Sequence, residues 1–169
     1  MNTRLAAWNA ASEAAALDAM IACCGSRRWA AEMVARRPID SPGDLGATAD
    51  QIWSTMKESD WMQAILCHPR IGEGKARHAT EKSREWSQKE QSLALNADND
   101  ILKLLATGNE IYEMRFGFTY IVCATGKTAA EMLAILERRL KSDRDTELRE
   151  AAEQQRQIMQ IRLRKWLEE

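Results

Sequence analysis

The sequence predicts an all-α protein. Prolines and glycines, the residues that most often interrupt helices, number only three and eight among 169 residues. Between them, apolar residues recur at spacings of three and four, the period of a helix with one buried face. We expect a single domain over residues 1–169, built as a bundle of about seven or eight helices.

The first half of the chain predicts four helices separated by turn residues. In order, they cover AAALDAMIACC, RRWAAEMVARR, LGATADQIWSTMK and WMQAILC, with the turn cluster IDSPGD between the second and the third. Asn9 or Ser12 can cap the first helix, and Gly25 can end it. Asp60 can cap the fourth, and Pro69 ends it because proline lacks a backbone N–H and disfavours helical backbone in the residue before it. The stretch PRIGEGKARHAT then predicts a loop.

The second half predicts four more helices. Helical periodicity returns near residue 80 and continues past LALNA, and the next helix, DILKLLATGNEIYEMRF, ends at Gly117. Thr128 and Glu131 form a capping box for AAEMLAILERRL. The last helix runs from about Asp145 to Leu167. Its apolar stripe, at spacings of three, four or seven, consists of Leu148, Ala152, Met159, Leu163 and Trp166.

The segment FTYIVCA, residues 118–124, departs from the helical pattern. Its β-branched and aromatic residues favour a strand. A single strand cannot satisfy its own backbone hydrogen-bonding groups. The segment therefore either pairs across a dimer axis or is an extended or helical part of the core, and we favour the second interpretation.

Composition argues against several classes of protein. A net charge of −1 gives the whole molecule no electrostatic basis for binding nucleic acid or a membrane surface. No apolar run approaches the ~20 residues of a membrane span. The first residues, MNTRLAAWNAASEAAALDAM, lack the basic and apolar regions of a secretory signal. We expect a cytoplasmic protein.

The cysteines do not form a metal-binding pattern. Cys23 and Cys24 are adjacent, whereas Cys67 and Cys123 are isolated, and no C-x-x-C pair occurs. Zinc sites require ligands at short, regular spacings. We therefore expect reduced structural thiols and no metal site.

His68 is the first candidate for chemistry. It lies between Cys67 and Pro69, where a helix ends and a loop begins. Histidine exchanges protons near neutral pH, and loops on a rigid scaffold often carry catalytic groups. The structural alternative is an exposed imidazole interacting with the helix dipole. His78, in a charged run, is predicted to lie on the surface.

Ser87, Glu90 and Gln91, in WSQKEQS, form the second candidate. Ser87-x-x-Glu90 has the spacing of a capping box, which usually does no more than start a helix. The functional alternative uses the same geometry, because a helix N-terminus attracts anions and a carboxylate at its third position would lie beside such a ligand.

Two arginines have ambiguous positions. Arg162 lies between Ile158 and Trp166 on a mostly apolar row of the last helix. It either extends to solvent or points into a pocket and binds a carboxylate. Arg115, in YEMRFG, has the same two interpretations.

Five motifs together resemble the 2-oxo-4-hydroxy-4-carboxy-5-ureidoimidazoline (OHCU) decarboxylase family of ureide and uric-acid catabolism. They are CCGSRRWAAEMVARRP at 23–38, HPRIG at 68–72, S-x-x-EQ at 87–91, NEIYEMRFGFTYIVCATGK at 109–127 and ELREAAEQQRQIMQIRL at 147–163. The motifs occur in order and span nearly the whole chain.

The resemblance implies an all-α, cofactor-free homodimer that converts OHCU, formed late in urate oxidation, into (S)-allantoin and CO₂. It assigns catalytic roles to His68 and Glu90. The substrate-binding residues that it implies are Pro69, Ser87, Gln91, the backbone N–H groups of Tyr120, Ile121, Val122, Cys123 and Ala124, and Arg162, with Arg164 close by. Thr119 and Tyr120 stand where members more commonly carry apolar residues.

Decarboxylation requires the protein to hold the ring, orient the departing carboxylate and deliver one proton to one face. No metal is needed if the ring itself accepts the electron pair. The competing hypothesis is a non-catalytic helical interaction module, in which the capping box and the loop histidine are only structural. Convergence of His68, Glu90 and Arg162 in one pocket would favour the enzyme.

Overall fold

The computed structural model describes residues 2–72, 79–92 and 97–169, and within these ranges the chain forms nine α-helices and no strand. The helices are α1 (Thr3–Ala10), α2 (Glu13–Cys24), α3 (Arg27–Ala35), α4 (Pro42–Ser54), α5 (Glu58–Leu66), α6 (Glu81–Glu90), α7 (Asn99–Phe116), α8 (Ala129–Arg139) and α9 (Arg144–Glu168). The all-α prediction is confirmed, but the expected number of helices was too low.

The helix that the sequence analysis missed is α1. It has only 8 residues, too few for a clear apolar period, and Asn2 caps it by accepting a hydrogen bond from the Leu5 N–H. Asn9 does not cap α2, because its side chain is hydrogen-bonded to the backbone N–H and carbonyl of Ile39. Ser12 caps α2 instead, and Gly25 ends the helix in the left-handed conformation, with φ of 86°.

Three other predicted boundaries were wrong by a few residues. Ser41 caps α4 and Pro42 is its first residue, so part of the expected turn IDSPGD is helical. Asp60 is inside the first turn of α5, where its carboxylate accepts a hydrogen bond from the Lys57 N–H. Helix α6 ends at Glu90, and the expected continuation through LALNA lies largely outside the described residues.

Backbone contacts divide the chain into two compact units. The first contains residues 1–64 and 156–169, and in it α1 packs against α2, α2 against α3, and α3 against α4. The second contains residues 65–155, where α7 packs against α8. Gly108 permits this close approach, since a Cβ atom there would lie 2.5 Å from Leu136 Cδ2. The single domain over residues 1–169 stays a prediction.

The last helix has the predicted apolar stripe. All five stripe residues are buried: Leu148, Ala152, Met159, Leu163 and Trp166. Burial of such a stripe is what stabilises an amphipathic helix in a folded protein. None of the described helices combines the length and the apolar character that a bilayer span requires.

Residues 118–124 form a buried segment that is neither helix nor strand. Side chains replace the missing neighbouring strand: Arg139 Nη1 donates to the Ile121 carbonyl (2.7 Å) and Lys127 Nζ donates to the Cys123 carbonyl (2.7 Å). The Tyr120 hydroxyl donates to the Met132 carbonyl (2.9 Å). The segment belongs to the core, as the preferred interpretation predicts.

Candidate functional site

His68 follows the carboxyl end of α5, as predicted. Its backbone N–H donates to the Ile65 carbonyl (3.1 Å), so the residue extends the last turn of the helix. Its imidazole is half-buried, and Nε2 lies 2.6 Å from Oε1 of Gln155, a fully buried residue of α9. The His68 side chain is therefore fixed by a hydrogen bond and only partly exposed to solvent.

The loop after His68 is fixed at three successive residues. Arg70 forms a bidentate ion pair with Glu113 of α7, with N···O distances of 2.9 and 2.6 Å. The Ile71 carbonyl accepts a hydrogen bond from Asn109 Nδ2 (3.2 Å), and the Gly72 N–H donates to Gln91 Oε1 (3.2 Å). Gly72 itself has a φ of +87°, which favours glycine.

The Gly72–Gln91 hydrogen bond brings the second candidate group to the His68 loop. Gln91 is the residue that follows α6, and Ser87 and Glu90 are in its last turn. Ser87 and Gln91 are buried and Glu90 is half-buried. The sequence analysis had placed these residues at the beginning of a helix, whereas they lie at its carboxyl end.

The capping-box interpretation of Ser87 was wrong. Helix α6 begins at Glu81, and Thr80 caps it by accepting a hydrogen bond from the Ser83 N–H (3.1 Å). Ser87 and Glu90 are therefore at the carboxyl end, where the helix dipole is negative. Ser87 therefore does not form an anion site at a helix N-terminus. The Glu90 carboxylate lies near the negative end of the helix dipole, which is electrostatically unfavourable.

Part of the predicted ligand-binding backbone is already hydrogen-bonded. The Cys123 N–H donates to Oε1 of Gln154 on α9 (2.8 Å). This N–H group therefore has a protein acceptor in the structure, unlike the open donor that the family resemblance implied. Gln154 and Gln155 are adjacent on α9, so one helix contacts both the His68 side chain and the 120–124 backbone.

A buried charged cluster supports the same backbone segment. Arg139 and Glu147 form an ion pair in which both side chains are almost fully buried, and the Tyr112 hydroxyl donates to Glu147. Burial and the Glu147 hydrogen bond raise the pKa of Tyr112, and burial raises that of Tyr120, against the opposing charge of Arg139. Both phenols are therefore neutral hydrogen-bond donors and not proton-exchange groups near neutral pH.

The two ambiguous arginines have different environments. Arg162 is almost fully buried in the first unit, on α9. Burial raises the pKa of the Cys23 thiol, and the positive charge of Arg162 opposes that shift. Arg115 is exposed and donates to the Ser142 carbonyl, so the pocket interpretation is wrong for this residue. His78 lies outside the described residues.

Within the described ranges, no three His, Cys, Asp or Glu side chains are placed to share a metal ion. None of the four cysteines forms a disulfide, and only Cys67 is partly exposed.

Comparison with known proteins identifies the family. A family model described as OHCU decarboxylase matches residues 9–164. The chain belongs to the OHCU decarboxylase family. The resemblance drawn from the five motifs is thus confirmed, and the match includes residues of both compact units.

Solved and curated members of the family are similar over most of this chain. A crystal structure of OHCU decarboxylase in the presence of (S)-allantoin is 32% identical, with a TM-score of 0.78, and covers 90% of this chain and 99% of that one. The 2-oxo-4-hydroxy-4-carboxy-5-ureidoimidazoline decarboxylase of Haloferax volcanii is 25% identical, over 80% of this chain and 79% of the relative.

The uric acid degradation bifunctional protein TTL of Arabidopsis thaliana is 33% identical over 85% of this chain. This chain spans 44% of the length of that relative.

One residue that contacts His68, Gln155, was not among the candidates from the sequence. The apolar stripe of α9 contained a signal, because Ala152 and Met159 are seven positions apart and no apolar stripe residue lies between them. Gln155 occupies the missing position at a spacing of three and four, and it is fully buried there. A polar residue on a buried row requires a polar partner, so the gap itself indicated a tertiary hydrogen bond.

Proposed function

We propose that this protein catalyses the decarboxylation of OHCU to (S)-allantoin and CO₂ in urate catabolism, without a cofactor. The main support is its 32% identity, over almost the whole length of that chain, to an OHCU decarboxylase crystallised with (S)-allantoin. The site geometry is consistent with this function, because the Gly72–Gln91 hydrogen bond joins the loop of His68 to the end of α6 that carries Glu90.

Starting from the substrate carboxylate, the reaction removes one proton and delivers two. When the C–C bond to the carboxylate breaks, CO₂ leaves and the electron pair passes into the ring and its C=N bond. The hydroxyl loses its proton to give a ring carbonyl, one proton adds to one face of the neighbouring carbon, and one adds to the ring nitrogen of the former C=N bond. His68 exchanges protons near neutral pH, and Glu90 orients the substrate or removes the competing proton.

The substrate-binding assignments remain part of the proposal. They are Pro69, Ser87, Gln91, Tyr120, Ile121, Val122, Cys123, Ala124 and Arg162. The Cys123 N–H would bind substrate only if Gln154 released it. Preorganised N–H donors around the ring would stabilise the charge that develops on its oxygens.

We also propose a cytoplasmic homodimer. Helix α7 supports this assembly, because its exposed apolar residues Leu104, Ile111 and Met114 lie on one face, at spacings of seven and three. An exposed apolar stripe on a helix is typical of an interface. Light scattering should give twice the 19.1 kDa chain mass, and a monomer at micromolar concentration would contradict the proposal.

Replacement of His68 by asparagine tests the proposed function. The asparagine side chain would keep a polar group but could not exchange protons near neutral pH. We expect an intact fold, a decarboxylation rate close to the spontaneous one, and loss of the S excess in allantoin measured by circular dichroism. His78→Asn is the matched control and should keep wild-type turnover. Full-rate (S)-allantoin formation by His68→Asn would remove His68 from the mechanism.

Failure of the wild-type protein to accelerate OHCU decarboxylation would reject the enzyme outright. That result would favour the non-catalytic interaction module.

A further inference from the structure

We propose that Gln155 is a positioning residue, which holds the His68 imidazole and keeps a proton on its Nε2. The observation is the 2.6 Å contact between His68 Nε2 and Gln155 Oε1. This inference rests on the proposed function for its catalytic meaning, although the hydrogen bond itself can be tested without any turnover.

The chemistry of the two groups assigns the proton. A carboxamide oxygen can only accept a hydrogen bond, so Nε2 of His68 must be the donor. A neutral imidazole protonated on Nε2 carries its lone pair on Nδ1. Nδ1 is therefore the atom that takes the proton of the substrate hydroxyl, and the resulting imidazolium keeps its Nε2–H bond to Gln155.

The backbone around His68 explains how a side-chain contact can set the direction of the ring. The His68 N–H is bonded to Ile65, and the following loop is fixed through Arg70, Ile71 and Gly72. With the main chain held on both sides, the direction of the imidazole depends on rotation about its own side-chain bonds. The hydrogen bond to Gln155 opposes this rotation.

A neutral amide suits a group that must exchange protons. A carboxylate at the position of Gln155 would attract the positive charge of an imidazolium and so favour the protonated ring before substrate arrives. The amide of Gln155 orients the ring without adding a negative charge. Gln155 is fully buried, so bulk water does not compete with His68 for its amide oxygen.

Gln155→Met tests the proposal, because methionine has a similar length but cannot accept a strong hydrogen bond. Gln160→Met is the matched control: Gln160 is on the same helix, but its amide donates to the Gly46 carbonyl and to Asp50. The tautomer of His68 is measured by ¹⁵N NMR of histidine-labelled full-length protein at about pH 8.5, where an ordinary imidazole is neutral. A His78→Gln background leaves one imidazole signal.

We expect the Nε2–H tautomer in the wild-type protein and in Gln160→Met, and a mixture of tautomers in Gln155→Met. In decarboxylation assays, Gln155→Met should lower kcat about 10-fold to 100-fold and leave KM nearly unchanged. This loss is smaller than the full contribution of an acid–base group, because His68 itself remains. Gln155→Glu keeps an acceptor oxygen but adds a negative charge, so its imidazole should stay protonated at about pH 8.5. A neutral ring in this variant would contradict the contact, which covers the case in which the methionine variant does not fold.

An Nδ1–H tautomer in the wild-type protein would overturn the proposal. So would wild-type kcat in Gln155→Met. If His68→Asn is inactive while Gln155→Met is fully active, the role of Gln155 is rejected and the proposed function stands. If the wild-type protein does not decarboxylate OHCU, the proposed function fails, and the NMR measurement still decides whether Gln155 sets the tautomer.

Discussion

Thr128-x-x-Glu131 and Ser87-x-x-Glu90 have the same sequence pattern and lie at opposite ends of their helices. In the first, the Thr128 hydroxyl accepts a hydrogen bond from the Glu131 N–H, and the Glu131 carboxylate accepts one from the Thr128 N–H. In the second, both residues are in the last turn of α6. One pair starts a helix, whereas the other is placed beside the His68 loop.

The difference arises from the residues that precede each pair. Gly126, with a φ of 80°, prevents helix immediately before Thr128, so the cap forms at the first residue that can accept from the helix. No such break precedes Ser87, and Thr80 is already available as a cap. A capping pattern therefore indicates a helix start only where the preceding residues exclude an earlier one.

The largest expected effect is a difference in turnover between variants of Glu90 and Glu131. Glu90→Gln should lower the rate of OHCU decarboxylation at least about a hundredfold, the low end for acid–base groups. It should not weaken α6, because a carboxylate at the carboxyl end of a helix is unfavourable. Glu131→Gln, the matched change in the true capping box, should leave turnover at the wild-type rate. Rates and thermal melts on the same preparations measure both effects.

Full activity of Glu90→Gln would show that the comparison fails, and both glutamates would then be structural. Inactivity of both variants at unchanged stability would also contradict it.

The second expected effect compares stability at the true caps. Thr80→Ala and Thr128→Ala should each lower the free energy of unfolding by about 1 kcal/mol, the usual value for an N-cap. In a chain of this size that corresponds to about 2–4 °C in Tm. Thr80→Ser and Thr128→Ser, which keep the accepting hydroxyl, should remain near wild type. An unchanged Tm in Thr80→Ala would mean that Thr80 is not the effective cap of α6.

The smallest expected effect is a pH dependence confined to the true capping box. Hydrogen bonds from the Thr128 backbone and side chain lower the pKa of Glu131 below its ordinary value of 4.5. A carboxylate with a lowered folded-state pKa stabilises the protein above its unfolded-state pKa, and this stabilisation is lost as pH falls through the folded-state value.

The difference in unfolding free energy between the wild type and Glu131→Gln should therefore be present at neutral pH and disappear on acidification. Urea unfolding at several pH values measures it. Thr128→Ala, which removes one of the donors, should reduce this pH dependence. A constant difference down to pH 2 would exclude the carboxylate as its source.

Several helix ends could be predicted because capping depends on residues within a few positions of each other. Ser12, Gly25, Gly117 and Thr128 all have the predicted cap roles. These interactions are hydrogen bonds between a cap and the adjacent turn, so the local sequence specifies them.

The candidate site depended on contacts between distant parts of the chain. His68 and Gln155 are 87 residues apart, and Gly72 and Gln91 are 19 apart. The side chains that satisfy the 118–124 backbone include Arg139 and Gln154 from two different helices. Such pairings are selected by burial, because each unpaired polar group in the core carries a desolvation cost that only one arrangement removes.

Composition and local order thus specify an all-α chain, some of its caps and the identity of His68, Glu90 and Gln91 as candidates. Packing places Ser87 and Glu90 at the carboxyl end of α6, brings Gln155 into contact with His68, and supplies side-chain partners for the backbone of residues 118–124. The physical reason is range: a cap is satisfied within one helical turn, whereas a buried amide or carbonyl requires a partner that only the folded chain brings within about 3 Å.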